Sequence, residues 1–503
     1  MSRAKCPSRL ASLIFPFMAS NYNKPKKPFS SSSSKLCTIL FFVVLFTIPA
    51  LFLFHTYTTS TSICTTFPTH PKLWSGDLRT ALFSWNRLPF LHHQDHPRLK
   101  IAVFSKKWPL GTVPGGMERH AITLHKTLAL LGHQVHVFTS PQELIKHHPP
   151  SPSSPFIHFH EGEPGIWRYN MAWEQFLEQN QREKFDVVHS ESVALPHWLA
   201  RGLPNLAVSW HGIALESLHS YIFQDLARNP STEPMSPSFN KSIQGSVPKV
   251  LNEIRFFQNY AHHVATSDSC GEMLRDVYQI PNKRVHVIVN GVNEAEFGQN
   301  SKVGHEFRSR IGIPQNSSNL VFGVVGRLVK DKGHPILYEA FSKLIAKYPS
   351  NVYLIVAGSG PWEQRYKDLK SDRILVLGSM SLSKLHAFYN AIDIFVNPTL
   401  RPQGIDLTLT EAMMSGKPIM ASRFPSIKGT IVVEDEYGFM FSPNVESLLE
   451  ALELAVNEGP KRAAQRGKAC LEYANSMFTA TKMALAYERL FLCIKNETFC
   501  TYP

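Results

Sequence analysis

Short apolar runs of strand character, each followed by a loop and a helical stretch, recur from Lys100 to Ser422, and few architectures accept that alternation. KIAVFS (Lys100–Ser105) reads as a buried strand. Met117 to Leu131 then puts Ala121, Leu124, Leu128 and Leu131 on one helical face, and Gly132 stops the helix before QVHVFT, the next strand. Strand, helix and strand over about 40 residues make a βαβ unit, and such units close right-handed into parallel sheets. FDVVHS (Phe185–Ser190), LAVSWH, HVATSD and VHVIVN (Val285–Asn290) continue the series. Beyond the polar stretch Gly298–Asn319 it starts afresh with LVFGVVG (Leu320–Gly326), VYLIVAG, ILVLG, DIFVNP and PIMAS (Pro418–Ser422). The pattern predicts two Rossmann-like, doubly wound α/β domains, over residues 98–300 and 317–478. They should face each other across a cleft at the carboxyl ends of both sheets, where ligands of such folds bind. An amphipathic helix in TKMALAYERLFL, within residues 479–492, is expected to cross back to the first domain.

Charge is uneven along the chain. The net charge of +13 suggests a nucleic-acid partner until it is divided, because residues 1–76 hold eight Lys or Arg and no acid. The remainder carries only a small surplus, with no Lys/Arg run longer than a pair and no RNA-binding or zinc-finger signature, which excludes nucleic acid as the expected partner. Leu36–Phe54 is free of charge and, at about 1.5 Å per residue, nearly crosses a bilayer core of about 30 Å. With Arg3, Lys5, Arg9, Lys24, Lys26, Lys27 and Lys35 before it, this reads as a signal anchor with a cytosolic tail over residues 1–35, a transmembrane helix over 36–54 and the bulk of the chain across the membrane. A cleaved signal peptide is one alternative, though the basic stretch is long for one. A transit peptide is another, favoured by Ser30–Ser34 and disfavoured by the uniformly apolar run. Residues 55–97, rich in Thr, Pro and His, read as a stem. Seven cysteines fit no disulfide framework and no zinc-site spacing, although Cys493 and Cys500 can close a small loop in an oxidising compartment. Asn240, Asn316 and Asn496 each begin a glycosylation sequon.

The loop after the first strand, GTVPGG, lacks the G-x-G-x-x-G spacing, and no acidic residue ends the second strand to grip a ribose, so a nicotinamide cofactor is not expected. Gly115 and Gly116 still offer bare backbone at a helix N-terminus to a phosphate or a sugar; a plain turn is the alternative. GRLVKDKG sets Arg327 and Lys332 just past a strand, where two fixed cations can neutralise a diphosphate. NPTLRPQGIDLTLTEAMMSGKP puts Glu411 on the first turns of a helix.

Taken in order, KIAVFS with its GG, VVHSE, SWHG, VIVNGV, GRLVKDKG, AGSGP and TEAMMSGKP make the chain resemble the retaining glycosyltransferases of family 4, the group that includes sucrose synthases and bacterial phosphatidylinositol mannosyltransferases. The resemblance implies the GT-B fold, with a nucleotide-sugar donor, such as a UDP- or GDP-sugar, held mainly by the second domain. It also implies retention at the anomeric carbon, no catalytic metal and no cofactor beyond the nucleotide sugar as co-substrate. By the same resemblance Arg327 and Lys332 bind the donor diphosphate, Glu411 accepts hydrogen bonds from the ribose, and His211, in WHG at a strand end, lies near the donor sugar and the acceptor. Gly115, Gly116, Gln403, Gly404, Asp406 and Leu407 complete the expected donor site. The acceptor is a glycan, a lipid or a small molecule. A Golgi membrane placement with the catalytic part in the lumen is the expectation, with plastid or endoplasmic reticulum as alternatives.

One position departs from the family. Two glutamates seven residues apart are usual there, and Gln403 stands where the first should be. An amide can hydrogen-bond but cannot favour positive charge at the anomeric carbon. Asp406 either supplies a substitute carboxylate or caps the following helix. Gln403 also motivates an alternative function, a membrane-tethered binding or assembly protein of the same fold with weak or no catalysis.

Overall fold

A computed structural model describes residues 74–91, 96–109, 115–142, 153–228, 231, 233–348 and 351–503. The strands are labelled in chain order: β1 (Gly76–Asp77), β2 (Lys100–Phe104), β3 (Gln134–Thr139), β4 (Phe156–Phe159), β5 (Val187–Glu191), β6 (Leu206–Trp210), β7 (His262–Ala265) and β8 (Val285–Val287). The second half adds β9 (Leu320–Val325), β10 (Val352–Ala357), β11 (Ile374–Gly378), β12 (Ile394–Asn397), β13 (Ile419–Ser422), β14 (Gly438–Phe441) and β15 (Thr501–Tyr502).

β2 to β8 form a seven-stranded parallel sheet in the order β4-β3-β2-β5-β6-β7-β8, and β9 to β14 a six-stranded parallel sheet in the order β11-β10-β9-β12-β13-β14. Both orders run outward from the first strand in one direction and then in the other, which is the doubly wound topology expected of each half. The central strands are buried on both faces, as parallel strands covered by helices are, and largely apolar, with His189, Ser190 and Glu191 of β5 and Ser209 of β6 as buried polar exceptions. The direction of winding reverses between β2 and β5 in the first sheet and between β9 and β12 in the second. Their carboxyl ends therefore deliver Ser105, Glu191, Gly326 and Pro398 to the two crevices where a ligand can enter.

The helix Ala480–Lys495 lies within the first domain's core: Met483, Tyr487, Leu490 and Phe491 are buried with Ile101, Val103, Leu124 and Leu128. Reaching that core takes a return crossing from the second domain. It is pinned by Val292, whose N–H donates to Phe478 O at 2.9 Å and whose carbonyl accepts from Ala480 N at 2.8 Å. The preceding helical stretch Val445–Met477 breaks at Gly459–Pro460.

The stem expected over 55–97 ends sooner than its composition suggests. Leu78, Trp85 and Leu88 are fully buried in the first domain's core, and β1 pairs antiparallel with β15. Without apolar periodicity these residues gave no helix or strand signal; they are held by packing and by short 3₁₀ turns. The anchor expected at Leu36–Phe54 lies outside the described residues, and among the described residues no helix is long and apolar enough to cross a membrane. Cys493 and Cys500 form a disulfide, while Cys270 and Cys470 are buried free thiols.

Candidate active site

A cavity of about 430 Å³ opens at the carboxyl ends of the two sheets, lined from one side by Gly115, Gly116, Arg119 and His211 and from the other by Arg327, Lys332, Arg401, Asp406 and Leu407. The lining groups sit on the loops after the strands or, as with Gly116, Arg119 and Leu407, on the first turns of the helices that follow. β9 ends in Gly326, and the chain then crosses a single 3₁₀ turn, Lys330–Lys332, to Gly333, which opens the helix His334–Lys347. Gly333 holds φ 76°, and a Cβ there would sit 1.7 Å from the carbonyl oxygen of Pro398, so only glycine lets this loop pass the end of β12. The same approach is tied by Leu400, whose N–H donates to Asp331 O at 2.9 Å. The GRLVKDKG loop and the loop after β12 are thus one packed unit.

Arg327 reaches out from this unit: its side chain is 66% exposed and only 3.8 Å from Asp331. Lys332 turns inward and forms an ion pair with Asp406, which also accepts a hydrogen bond from Asn397 Nδ2 at 3.2 Å. Burial alone would raise the Asp406 pKa, but Lys332 and then Arg401 outweigh it and hold the carboxyl at about 2. Asp406 occupies the N-cap position of the helix Leu407–Met414 without making a side-chain cap. Of its two expected roles, the cap is therefore not made; the carboxylate instead balances a cation at the cavity wall.

Gly115, Gly116, His211, Arg327, Lys332, Asp406 and Leu407 are brought together, whereas three expected donor residues do not line the cavity. Gln403 is 4% exposed; its Nε2 donates to His219 Nδ1 at 2.7 Å, and its main-chain carbonyl accepts from Ser267 Oγ at 2.7 Å. Gly404 packs against the Glu216 carboxylate. Glu411 is buried, in an ion pair with Arg119 and accepting from Tyr389 Oη at 2.7 Å. Burial raises its pKa, against the pull of Arg119.

Arg119, Arg401, Glu216 and Glu191 escaped the sequence reading. Arg119 and Arg401 both line the cavity, and Arg401 Nε lies 2.7 Å from Glu216 Oε1, so each joins a residue of one domain to a carboxylate of the other. Arg119 lies in GGMERH, Arg401 in NPTLRPQG and Glu191 in VVHSE, so three of the four sat inside or beside quoted motifs. Nothing in the sequence around Glu216 marks it. His211 Nε2 is 2.6 Å from Glu191 Oε2, which binds this histidine to a buried carboxylate.

Two family models match the chain in succession: Glycosyltransferase Family 4 over residues 114–296 and Glycosyl transferases group 1 over residues 306–470. An uncharacterised glycosyltransferase of Methanocaldococcus jannaschii is 23% identical over 378 residues, covering 72% of this chain and 90% of the relative. Sucrose-phosphate synthase from Thermosynechococcus elongatus shares the fold with a TM-score of 0.60 at 19% identity, over 78% of this chain and 98% of that one. The Anabaena protein HepE, solved in complex with UDP-glucose, does so with a TM-score of 0.55 at 17% identity, over 78% and 99%. Paired doubly wound sheets, a cavity at their facing carboxyl ends and one group 1 or family 4 model on each half make this chain a glycosyltransferase with the GT-B fold.

Proposed function

We propose that the protein moves a sugar from a nucleotide-sugar donor, UDP- or GDP-linked, to an acceptor hydroxyl with retention of anomeric configuration, without a metal and without a further cofactor. The observation that carries this reading is the clustering of Arg327 and Lys332 with the bare backbone of Gly115 and Gly116 around one interdomain cavity. Fixed cations placed where a diphosphate leaves lower the barrier because the charge develops against groups already in position. HepE, of the same fold, was solved with UDP-glucose, which supports a UDP-linked donor. In this reading Asp406 releases Lys332 to the diphosphate, and Glu411 exchanges Arg119 for the ribose hydroxyls. The acceptor, whether glycan, lipid or small molecule, enters on the His211 side.

The test uses the full-length chain in detergent. Calorimetry against UDP, GDP and ADP should find one nucleoside diphosphate that binds, and Arg327→Ala and Lys332→Ala should each lower turnover about 100- to 1,000-fold. Normal turnover in both variants removes the assignment. Activity surviving a chelator supports the metal-free mechanism, and NMR of the product's anomeric carbon reads retention or inversion. A second reading, a tethered binding protein with little or no catalysis, is favoured by Gln403 being turned away from the cavity toward His219; nucleotide binding without transfer to a broad acceptor panel selects it.

The exposed sequons Asn240, Asn316 and Asn496 and the Cys493–Cys500 disulfide support a lumenal catalytic part behind a type II anchor at Leu36–Phe54. Imaging a fusion that carries residues 1–97, with glycosidase sensitivity of the sequons, separates the Golgi from the endoplasmic reticulum and the plastid.

A further inference from the structure

Behind His211 lies a buried polar cluster that the donor site does not use. Glu191, at the end of β5, is 1% exposed, and four histidines surround it. Its Oε2 is 2.6 Å from His211 Nε2, and its Oε1 is 3.0 Å from His125 Nε2. His189 Nδ1 lies 3.8 Å and His120 Nε2 3.9 Å from the carboxylate, beyond hydrogen-bonding reach. The chain continues inward: His125 Nε2 to His189 Nδ1 at 3.2 Å, His189 Nε2 to Ser209 Oγ at 2.8 Å, and Ser209 Oγ to Tyr487 Oη at 2.6 Å on the helix that returns from the second domain.

Proton positions follow from this geometry. A buried carboxylate is tolerated only where donors face it, so both near imidazoles must present an N–H to it. Burial pushes Glu191 upward, but the carboxyl lies well below its usual range, and the hydrogen bonds from His125 and His211 are the contacts that keep it an acceptor. Burial drives His120 well down and His189 down to about 3, so these two stay neutral. His189 takes a proton at one nitrogen only, and with Nδ1 turned to the His125 N–H it carries that proton on Nε2, toward Ser209. His211 lines the cavity with its Nε2 committed inward, and the neutral His120 ring packs edge-on against it, the ring centroids 4.6 Å apart.

We propose that Glu191 is the positioning residue that fixes the tautomer of His211: by accepting the Nε2 proton it leaves Nδ1 unprotonated, so that His211 meets its ligand as a hydrogen-bond acceptor for a sugar or acceptor hydroxyl. The inference rests on the glycosyltransferase reading only for the identity of that ligand; the tautomer is a property of the free protein. A carboxylate that orients an imidazole in this way acts through the imidazole and does not itself touch substrate. The sequence VVHSE followed by SWHG is then a functional pair, strand end against strand end, on adjacent strands β5 and β6.

Histidine-selective ¹⁵N NMR of the full-length protein at pH 7.5, with His211→Asn used to assign the signal, should show His211 protonated at Nε2 alone. Protonation at Nδ1, or at both nitrogens, overturns the proposal. In kinetics, Glu191→Gln should lower kcat about 10- to 100-fold, the loss expected for one misdirected hydrogen bond, and leave nucleoside diphosphate affinity unchanged. Glu191→Asp should restore part of the loss, and Glu191→Gln added to His211→Asn should cost nothing more. Additive losses refute the coupling. Zinc retained at one per chain and lost in His120→Asn would show instead that His120, Glu191 and His211 form a metal site, which also overturns it. Should Glu191→Gln fail to fold, the wild-type spectrum alone decides. If no nucleotide binds, the functional reading fails while the spectrum still tests the tautomer.

Discussion

Lys332 illustrates how much of a site one side chain can reveal and how much it hides. Its position one residue before a glycine marked it as a loop cation, but its partner, Asp406, lies 74 residues on and is met only because the loops after β9 and β12 pack together. The pair makes a pH prediction. The Asp406 carboxyl sits at about 2 in the folded protein against 3.8 for an unperturbed group. Its contribution is therefore complete above pH 3.8 and is lost as pH falls through about 2. Asp406→Asn should cost on the order of 2 kcal/mol in urea unfolding at pH 7. The gap to wild type should narrow below pH 3.8; a gap that stays constant to pH 2 would rule the ion pair out as its origin. Arg119 and Glu216 were hidden because their partners, Glu411 and Arg401, lie on the opposite domain, which leaves no local spacing to read. Glu191 was hidden differently: a carboxylate inside a strand motif looks like a strand end until four imidazoles are folded around it.

Among the elements, those with a period in their sequence were legible and those held by contacts alone were not. The strand runs from KIAVFS to PIMAS and the helices after Gly115 and around Thr481–Leu492 carry apolar periodicity that survives in the structure. β4 and β14 sit at the outer edges of their sheets and are only four residues long, too short for a pattern, and neither stood out. The segment from Trp74 to Leu91 has no period at all. What anchors it is Asn86, whose Nδ2 donates to Val289 O at 3.1 Å and to Met477 O at 2.9 Å while its Oδ1 accepts from Val289 N at 2.8 Å. One side chain thus clips the outgoing crossing between the domains to the returning one. Asn86→Ala leaves three buried backbone groups unpaired and should destabilise by about 2–4 kcal/mol, measurable as a fall in urea midpoint. Asn86→Ser, too short to reach both crossings, should recover little of it.

The two domains were readable as a pair, and so was the cleft between them, because doubly wound sheets place their ligands at the reversal of strand order whatever the loops contain. The chain's histidines behave collectively. Burial holds His136, His262 and His334 at about 4 and His189 and His263 at about 3, all below the 6.5 of an unfolded chain. The unfolded protein takes up protons first, so stability should decline as pH falls from 6.5 toward 4, and Tm measured across that range should drop steadily. A flat Tm from pH 7 to 5 would contradict these burials. The disulfide Cys493–Cys500 lies directly before β15, which pairs with β1, the first strand of the described residues. The first and last strands of the described residues are thus fastened to each other, with the disulfide bracing the turn that leads into the second.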